Sequence, residues 1–217
     1  MLSDELLAVF REDMNDQEEP QLWSDESFYR YLTDAQRWFC RKTDNIGDGT
    51  TPAVVEIAVT PTNEWYPQHA AILKIRDCFR LDTGAPIKVV NQEDMEKLNM
   101  RFDGTTGPVQ AIIIGIEPHK IRVWPVPNET VTLQLLVFRL PLTDIDDDGQ
   151  QLEIDPQHHE HLLLWCKHRA YSKQDAEAFD KTKAADFKAQ FLDYCEQAKL
   201  EQRRLRHKTR VVAYGGL

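Results

Sequence analysis

The sequence predicts an α+β protein, in which both ends of the chain form a helical bundle and an antiparallel β domain, a small sheet or sandwich, is inserted between them. Two observations predict this class. Near both termini apolar residues recur every three or four positions, which is the period of an amphipathic helix. Between them the period changes to two, as in half-buried strands. We place the helical body at residues 1–50 and 152–217, and the β domain with an acidic connector at 51–151.

Two helices are predicted before the β domain. Ser3 can cap a short helix that runs to about Asp13, and Ser24 can cap a longer one that ends before the glycines of residues 44–51. One apolar face of the longer helix carries Phe28, Leu32, Ala35 and Phe39. Acidic residues in its first turn and basic residues in its last turn suit the helix dipole.

The strands are predicted from alternation. Two sets of residues are expected to point inward: Val55, Ile57 and Val59, and then Leu73, Ile75, Phe79 and Leu81. Further strands are expected at 87–90, 111–116, 121–124 and 131–140, with a helical turn at 93–98. In the last strand Leu136 and Phe138 add apolar groups to the second face, so we expect both of its faces to be covered.

Two long C-terminal helices follow the sheet. Pro156 marks the start of the first, and the second extends to about Arg206. Their apolar positions are Leu162, Leu163, Trp165, Cys166 and Ala170 in the first, and Ala184, Phe187, Phe191, Tyr194 and Ala198 in the second. The simplest arrangement is an antiparallel pair.

The charge is unevenly distributed along the chain. The net charge is -10, which argues against a general nucleic-acid or anionic-membrane surface. From Gln197 to Leu217, however, six basic side chains stand against one acidic side chain, Glu201. This tail is therefore +5 and the remainder of the chain is -15. Such asymmetry favours contacts between copies, or between the tail and an acidic partner.

The cysteines and the apolar runs indicate no disulfide framework and no membrane span. The four cysteines form no CxxC pair, so we expect reduced and mostly buried thiols in a cytosolic product. The apolar runs at 111–116 and 162–166 are much shorter than the roughly 20 residues of a spanning helix.

The acidic stretch 144–155 has the spacing of a calcium-binding loop. Carboxylates stand at positions one, three, five and twelve, and Gly149 stands at position six. Position twelve is Asp155, which is shorter than the usual glutamate, and position eight is Gln151 rather than an apolar residue. The alternatives are a calcium-binding interaction module and a solvated acidic connector, and we favour the connector.

Enzyme signatures are weak. His158, His161 and a carboxylate could form a small metal site at a helix start, but the HExxH spacing is missing. The sequence also contains no glycine-rich phosphate loop and no GxSxG elbow. We therefore predict that the protein is not an enzyme, with no catalytic residue, no metal site and no cofactor, and keep a metal-dependent enzyme as the third hypothesis.

Several segments, in order, resemble the head-to-tail adaptor (connector, or neck) proteins of tailed bacteriophages. The resemblance covers roughly residues 25–205. It is carried by AQRWFCRKT at 35–43, WYP at 65–67 before ILKI at 72–75, WPVP at 124–127, VFRLP at 137–141, LEIDP at 152–156, and AYSKQD at 170–175. The acidic run at 144–148 does not belong to this pattern.

The resemblance implies a structural virion protein. About twelve copies would form a ring below the portal protein, join the head to the tail, and continue the DNA channel. Partners would be the portal and the tail nozzle or tail tube proteins, and DNA would pass without sequence-specific binding. The protein would be made in the host cytoplasm and lie in the virion neck, away from any membrane.

The resemblance also implies that the C-terminal segment, from Arg203 to Leu217, docks to the portal. The residue types suit this task, because arginine and lysine pair with carboxylates and apolar side chains fill pockets. The predicted docking residues are Arg203, Arg204, Arg206, Lys208, Arg210, Val211, Val212 and Tyr214.

Overall fold

The computed structural model describes residues 1–95, 97, 104–173 and 179–206. These residues form two compact units. The first comprises residues 1–45 and the described part of 143–217, and the second comprises residues 46–142 as far as they are described. Residues 46–50 thus group with the strands, and the acidic stretch that follows residue 142 groups with the helices, in both cases unlike the predicted boundaries of 51–151.

The first unit is built from four helices and one short 3-10 turn. The α-helices are α1 (Ser3–Met14), α2 (Asp25–Thr43), α5 (His159–Ser172) and α6 (Lys181–Arg206), and the 3-10 turn is Pro156–His158. The numbers α3 and α4 belong to two four-residue helices of the second unit, Pro52–Val55 and Gln92–Met95.

Helix α2 forms as its sequence predicts. The Ser24 hydroxyl accepts a hydrogen bond from the Ser27 amide, and Asp44 ends the helix in the left-handed conformation. The four residues of the predicted apolar face, Phe28, Leu32, Ala35 and Phe39, are completely buried. The period of three and four residues therefore identified the face that packs in the core.

Helix α1 begins differently from the prediction that Ser3 caps it. The cap position is Leu2, whose amide donates to the Glu5 carboxylate at 2.8 Å. The Ser3 hydroxyl instead donates to the carbonyl oxygen of Asp147 at 2.8 Å and accepts from the Gln150 amide at 3.0 Å. The Ser3 hydroxyl, which the sequence predicts as the helix cap, thus bonds to the acidic loop instead.

Helices α5 and α6 run antiparallel. Ring contacts join Tyr171 to Phe187, Trp165 to Phe191, and His161 to Tyr194, so that positions fall along α5 as they rise along α6. Helix α5 also contacts α1 and α2. Because α5 is surrounded by three helices, its apolar residues occupy more than one face.

The second unit is an eight-stranded sheet with a separate two-stranded sheet. The strands are β1 (Ile46–Asp48), β2 (Glu56–Val59), β3 (Trp65–Pro67), β4 (Ile72–Arg80), β5 (Pro86–Asn91), β6 (Thr106–Gly107), β7 (Ala111–Ile114), β8 (Lys120–Trp124), β9 (Val126–Pro127) and β10 (Val131–Arg139). The order is β1-β10-β4-β5-β7-β8-β3, with β2 also paired to β10 and β6 paired to β9.

The α+β class is confirmed, but the sheet is mixed rather than purely antiparallel. Strands β5 and β7 pair in parallel, as do β6 and β9. A parallel pair needs a crossover of about a dozen residues or more. Residues 92–110 supply that length between β5 and β7. The predicted helical turn at 93–98 falls in this stretch, where α4 covers residues 92–95 and residues 96 and 98 lie outside the described residues.

The predicted inward face of β4 is correct only at Ile75, which is buried. The other buried residues are Ile72 and Cys78, whereas Leu73 and Phe79 are half-buried and Leu81, just beyond the strand, is 46% exposed. The pairing of β4 with β10 shifts register twice, after Leu136 and after Phe138. Each shift moves the alternation by one residue, so a strict period of two fails here.

Two smaller expectations also changed. Val55 is buried, but it ends the helical turn α3 instead of lying in β2. In β10 the second face is covered at Phe138, which is 6% exposed, while Leu136 is only half-buried.

Asp48 joins the first and last strands of this unit. Its carboxylate accepts from the amides of Thr50 and Thr51 at 3.0 and 3.1 Å, and from Arg139 Nε at 2.6 Å. Burial alone would raise the pKa of this carboxyl group, but these hydrogen bonds hold it well below its usual range. Asp48 is therefore ionised in the folded protein and stabilises the junction of β1 with β10.

Replacing Leu133 by alanine tests the core of the sheet. Leu133 is completely buried in β10, so Leu133→Ala should lower the free energy of unfolding by about 2 to 5 kcal/mol. Leu81→Ala is the matched control, and its exposed side chain should change stability by at most about 0.5 kcal/mol. Urea denaturation measures both, and equal losses would contradict the observed face assignment.

Asp48→Asn tests the buried ion pair. Breaking such a pair costs about 3 kcal/mol at neutral pH. Because the pKa of Asp48 is lower in the folded than in the unfolded state, its contribution is present above the unfolded value of 3.8 and is lost as the pH falls toward the folded value. The stability difference between parent and variant, measured by urea denaturation, should therefore shrink below about pH 4. A difference that does not change with pH would contradict this assignment.

Candidate functional site

The acidic loop, residues 144–155, is attached to helices α1 and α2 by polar contacts. The Thr33 hydroxyl bonds to both backbone groups of Ile145, accepting from its amide at 2.9 Å and donating to its carbonyl at 3.1 Å. Arg37 pairs with Asp144 at 2.7 Å, and the Tyr29 hydroxyl donates to Asp148. Together with Ser3, these contacts hold the loop on one side of the helical unit.

The carboxylates that match the calcium spacing point to separate partners. Asp144 pairs with Arg37, Asp148 accepts from Tyr29, and the other two bond within their own segment. Asp146 accepts from the Gln150 side chain at 2.7 Å, and Asp155 accepts from the Gln157 amide at the 3-10 turn. Among the described residues, no group of three or more His, Cys, Asp or Glu side chains is arranged to hold a metal ion. The geometry fits a connector that anchors the chain.

Tyr29 is the most strongly perturbed group at this loop. Burial raises its pKa far above the usual range, and the hydrogen bond to Asp148 and the negative charge of Asp148 raise it further. The hydroxyl therefore stays protonated and remains a hydrogen-bond donor to the carboxylate. The hydrogen bond from Tyr29 to Asp148 therefore keeps its donor, and it attaches the acidic loop to α2.

A cleft of about 520 Å³ lies between α2 and the acidic loop. Its lining carries charges of both signs: Arg30, Arg37 and Arg169 against Glu26, Asp34, Asp144 and Asp146. Several of these charges already have partners, since Asp34 accepts from the Trp165 indole at 2.9 Å and Arg169 lies over the Tyr31 ring. The cleft therefore presents a polar surface of mixed charge.

The histidines of the hypothetical metal site each contact another group of the protein. His158 and His159 are buried; Nδ1 of His158 contacts the Tyr194 hydroxyl at 2.7 Å, and Nε2 of His159 contacts the Ile154 carbonyl at 2.8 Å. His161 stacks on the Tyr194 ring with centroids 3.6 Å apart. His168 Nδ1 contacts the Ala184 carbonyl at 2.8 Å. These contacts place the four histidines in the packing of the helical unit.

All four cysteines are buried, as the sequence predicts, and none of them is in a disulfide bond. Burial raises the pKa of Cys78 and Cys195 to about 12, and it raises that of Cys166 further. A thiol with such a pKa forms almost no thiolate near neutral pH, and the thiolate is the nucleophilic form. None of these three cysteines is therefore set up for nucleophilic catalysis.

The predicted docking residues are only partly described. Arg203 and Arg204 are exposed in the last turns of α6, and Arg206 is the last helical residue. The others, Lys208, Arg210, Val211, Val212 and Tyr214, lie outside the described residues. The structure adds two exposed leucines near the end of α6, Leu200 at 51% and Leu205 at 87%. The sequence signal for them is that both stand in a charged stretch, where Leu200 is off the apolar period of α6 and Leu205 continues it beyond Ala198.

Helix α6 is fixed to the rest of the unit by aromatic side chains. Trp165 lies in the centre of this packing, with ring centroids 5.2 Å from both Trp38 and Phe191. Phe39 and Tyr194 stack 6.2 Å apart. The first half of α6 is thus anchored, and its end leads into the basic segment. In the part of the chain that is described, no helix is long and apolar enough to cross a membrane.

Polar contacts and aromatic packing hold the described helical unit together. The histidines and cysteines described above take part in this packing. These features fit a protein with a structural role. The comparison with protein families assigns the class. The family model described as SU10 adaptor protein matches residues 1–213, and the chain belongs to this family of phage head-to-tail adaptor proteins. No curated protein matches the chain. The family is a structural one and does not correspond to an enzyme class.

Tyr29→Phe tests the attachment of the acidic loop. The change removes a buried donor to a carboxylate, so the free energy of unfolding should fall by about 1.5 to 3 kcal/mol in urea denaturation. Tyr31→Phe is the matched control on the same helix, because the Tyr31 hydroxyl makes no hydrogen bond to the described residues. A loss of the same size in both variants would contradict the anchoring role of the Tyr29 hydroxyl.

Proposed function

We propose that this protein forms a ring in the phage neck, below the portal, which joins the head to the tail and continues the DNA channel. The observation that carries the proposal is the family match over residues 1–213, which makes the protein a structural head-to-tail adaptor. Its partners are then the portal protein on one side and tail nozzle or tail tube proteins on the other. The ring contains about twelve copies with cyclic symmetry. It is assembled from protein made in the host cytoplasm, and it has no catalytic activity.

The C-terminal segment is the proposed contact with the portal. It follows α6, which is anchored near its middle by Phe191 and Tyr194 while Arg203 and Arg204 are exposed at its end. The anchored helix gives the segment a defined origin. Basic and apolar side chains within the segment can pair with portal carboxylates and fill apolar pockets. A ring of about twelve copies would present as many segments at once, so weak individual contacts would add up.

The charge distribution supports a channel that does not hold DNA. Outside the C-terminal segment the chain has a net charge of -15, and phosphate contacts by lysine and arginine dominate the affinity of proteins for DNA. A strongly acidic body repels the phosphate backbone. DNA would therefore pass without sequence-specific binding.

The first experiment mixes the purified chain with portal rings from the same genome and examines the mixture by negative-stain electron microscopy. A new ring of density at the narrow end of the portal supports the proposal. A folded chain that leaves the portal unchanged, at concentrations where both are soluble, overturns it.

Deleting residues 209–217 should abolish portal binding and leave the circular dichroism spectrum unchanged. Two sets of substitutions separate the contributions. Lys208→Gln with Arg210→Gln should weaken binding and reduce its salt dependence, because exposed charges are screened. Val211→Ser with Val212→Ser should weaken binding and leave the salt dependence as it is.

The matched control for the charge change is Lys181→Gln with Lys188→Gln, which removes two exposed charges from the first half of α6. This variant should bind the portal as the parent does. Full binding by the deletion variant would refute the docking role of the segment, while the ring itself would stand if the parent still assembles on the portal.

A further inference from the structure

The apolar stripe of α6 continues past the elements that cover it. Residues seven apart lie on nearly the same side of a helix, because seven residues make almost two turns. Ala184, Phe191 and Ala198 follow this spacing and are at most 6% exposed. The next member of the stripe, Leu205, is 87% exposed. The stripe therefore changes from buried to exposed within a single interval of seven residues.

The difference in length between α5 and α6 explains this change. Helix α5 has 14 residues and α6 has 26. The last ring of α5 that contacts α6 is His161, stacked on Tyr194, and the preceding 3-10 turn adds His158 on the same tyrosine. Leu205 lies about 10 Å beyond Ala198 along the helix axis, at 1.5 Å per residue. An apolar side chain at such a position indicates a contact with another surface.

The charges at the end of α6 select the kind of surface that fits it. Residues 199–205 carry three basic side chains, Lys199, Arg203 and Arg204, against the single acidic Glu201. Arg203 and Arg204 are exposed, and neither forms an ion pair with the described residues. A complementary surface therefore offers an apolar side chain surrounded by carboxylates.

One surface of the same unit has this composition. Leu2 is 39% exposed at the start of α1, and a β-bridge pairs it with Gln151 of the acidic loop. The Leu2 amide donates to the Glu5 carboxylate at 2.8 Å. The amino group of Met1 lies 4.0 Å from the same carboxylate and offsets its charge.

Three further carboxylates stand at this surface. The Ser3 hydroxyl donates to the carbonyl oxygen of Asp147, which places that exposed residue beside the start of α1. The negative charges of Asp148 and Asp4 both raise the pKa of Tyr29, so both carboxylates lie near its hydroxyl. We define the Leu2 patch as Leu2, Asp4, Glu5, Asp147 and Asp148, all of them exposed.

We propose that the end of α6 docks on the Leu2 patch of a neighbouring copy, with Leu205 against Leu2 and the two arginines against the carboxylates. This inference rests on the proposed ring and names the contact between its copies. Two different and complementary surfaces on one chain make a heterologous contact, and such contacts close into a ring when the rotation between copies allows it. The segment after residue 206 stays available for the portal.

The first test is a disulfide between copies. Leu2→Cys and Leu205→Cys are made in separate chains, which are mixed on portal rings and also at high concentration without the portal. Oxidation should give covalent dimers in the mixture and few from either chain alone, because the bond needs Cα atoms within about 7 Å. The four native cysteines are buried and should not compete.

Leu200→Cys mixed with Leu2→Cys is the matched control for the disulfide. Leu200 is also an exposed leucine near the end of α6. It lies about 140° around the helix from Leu205, at 100° per residue. This pair should form several-fold fewer covalent dimers than the pair at Leu2 and Leu205.

Charge reversal tests the same contact independently. Arg203→Glu with Arg204→Glu, and in a second chain Asp4→Lys with Asp147→Lys, should each weaken assembly by at least about tenfold, because like charges then face each other. An equal mixture of the two variants should recover assembly, since each carries the charges that complement the other. Sedimentation velocity measures assembly without the portal, and negative-stain electron microscopy measures it on the portal.

The control for charge reversal is Lys181→Glu with Lys188→Glu, which reverses two exposed charges in the first half of α6 and should assemble as the parent does. Rings on the portal without the mixed disulfide, or rings from each reversed variant alone, would overturn the inference and leave the neck ring standing. Mixed disulfides without portal binding would support the contact between copies while the portal function fails. A parent that stays monomeric with and without the portal would overturn both. Where a reversed variant does not fold, the disulfide test decides.

Discussion

The helical unit depends on the burial of α5 between helices that come from opposite ends of the chain. Trp165 shows the constraint most clearly. Its ring packs on Trp38 and Phe191, and its indole nitrogen donates to Asp34, so one side chain joins α2, α5 and α6. Fully burying an aromatic side chain of this kind stabilises by about 1.5 to 3 kcal/mol. Both the short α1 and the long, charged α6 pack against α5 as well as α2, so each loses part of its apolar partner surface without this packing.

The insertion of about 100 residues between α2 and α5 would oppose this packing if it were an open loop. Closing a loop of that length costs roughly 4 kcal/mol of chain entropy. The second unit removes most of this cost because its own ends pair: Ile46 at its start lies opposite Arg139 near its end, in the ladder of β1 and β10. Asp48 reinforces the same junction through Arg139. Folding of the sheet therefore brings the two halves of the helical unit together.

The parts of the fold that were predictable are those that local sequence determines. The face of α2 follows from its period, and the α+β class follows from the change of period between the two ends and the middle. The prediction for β4 held only at Ile75, because the two register shifts arise in the pairing with β10 and cannot be read from the sequence of β4 alone. The prediction that Ser3 caps α1 failed for a related reason: its hydroxyl bonds to the acidic loop, more than 140 residues away in the chain. The parallel pair of β5 and β7 likewise depends on a crossover, not on either strand.

The candidate sites divide in the same way. Local spacing suggested calcium ligands at 144–155 and metal-binding histidines at 158–161, but spacing fixes only neighbours in sequence. In three dimensions these side chains have partners in other elements or within their own segment: Asp144 pairs with Arg37, Asp148 accepts from Tyr29, and His158 contacts Tyr194. The buried His158 ring needs a partner to offset its lost hydration, whereas the exposed carboxylates pair with donors that lie near them. The C-terminal segment differs from these side chains because its proposed partner is another protein and not a part of the same chain. Its basic and apolar composition indicates that it can bind, but the geometry of binding is set by the surface of that partner.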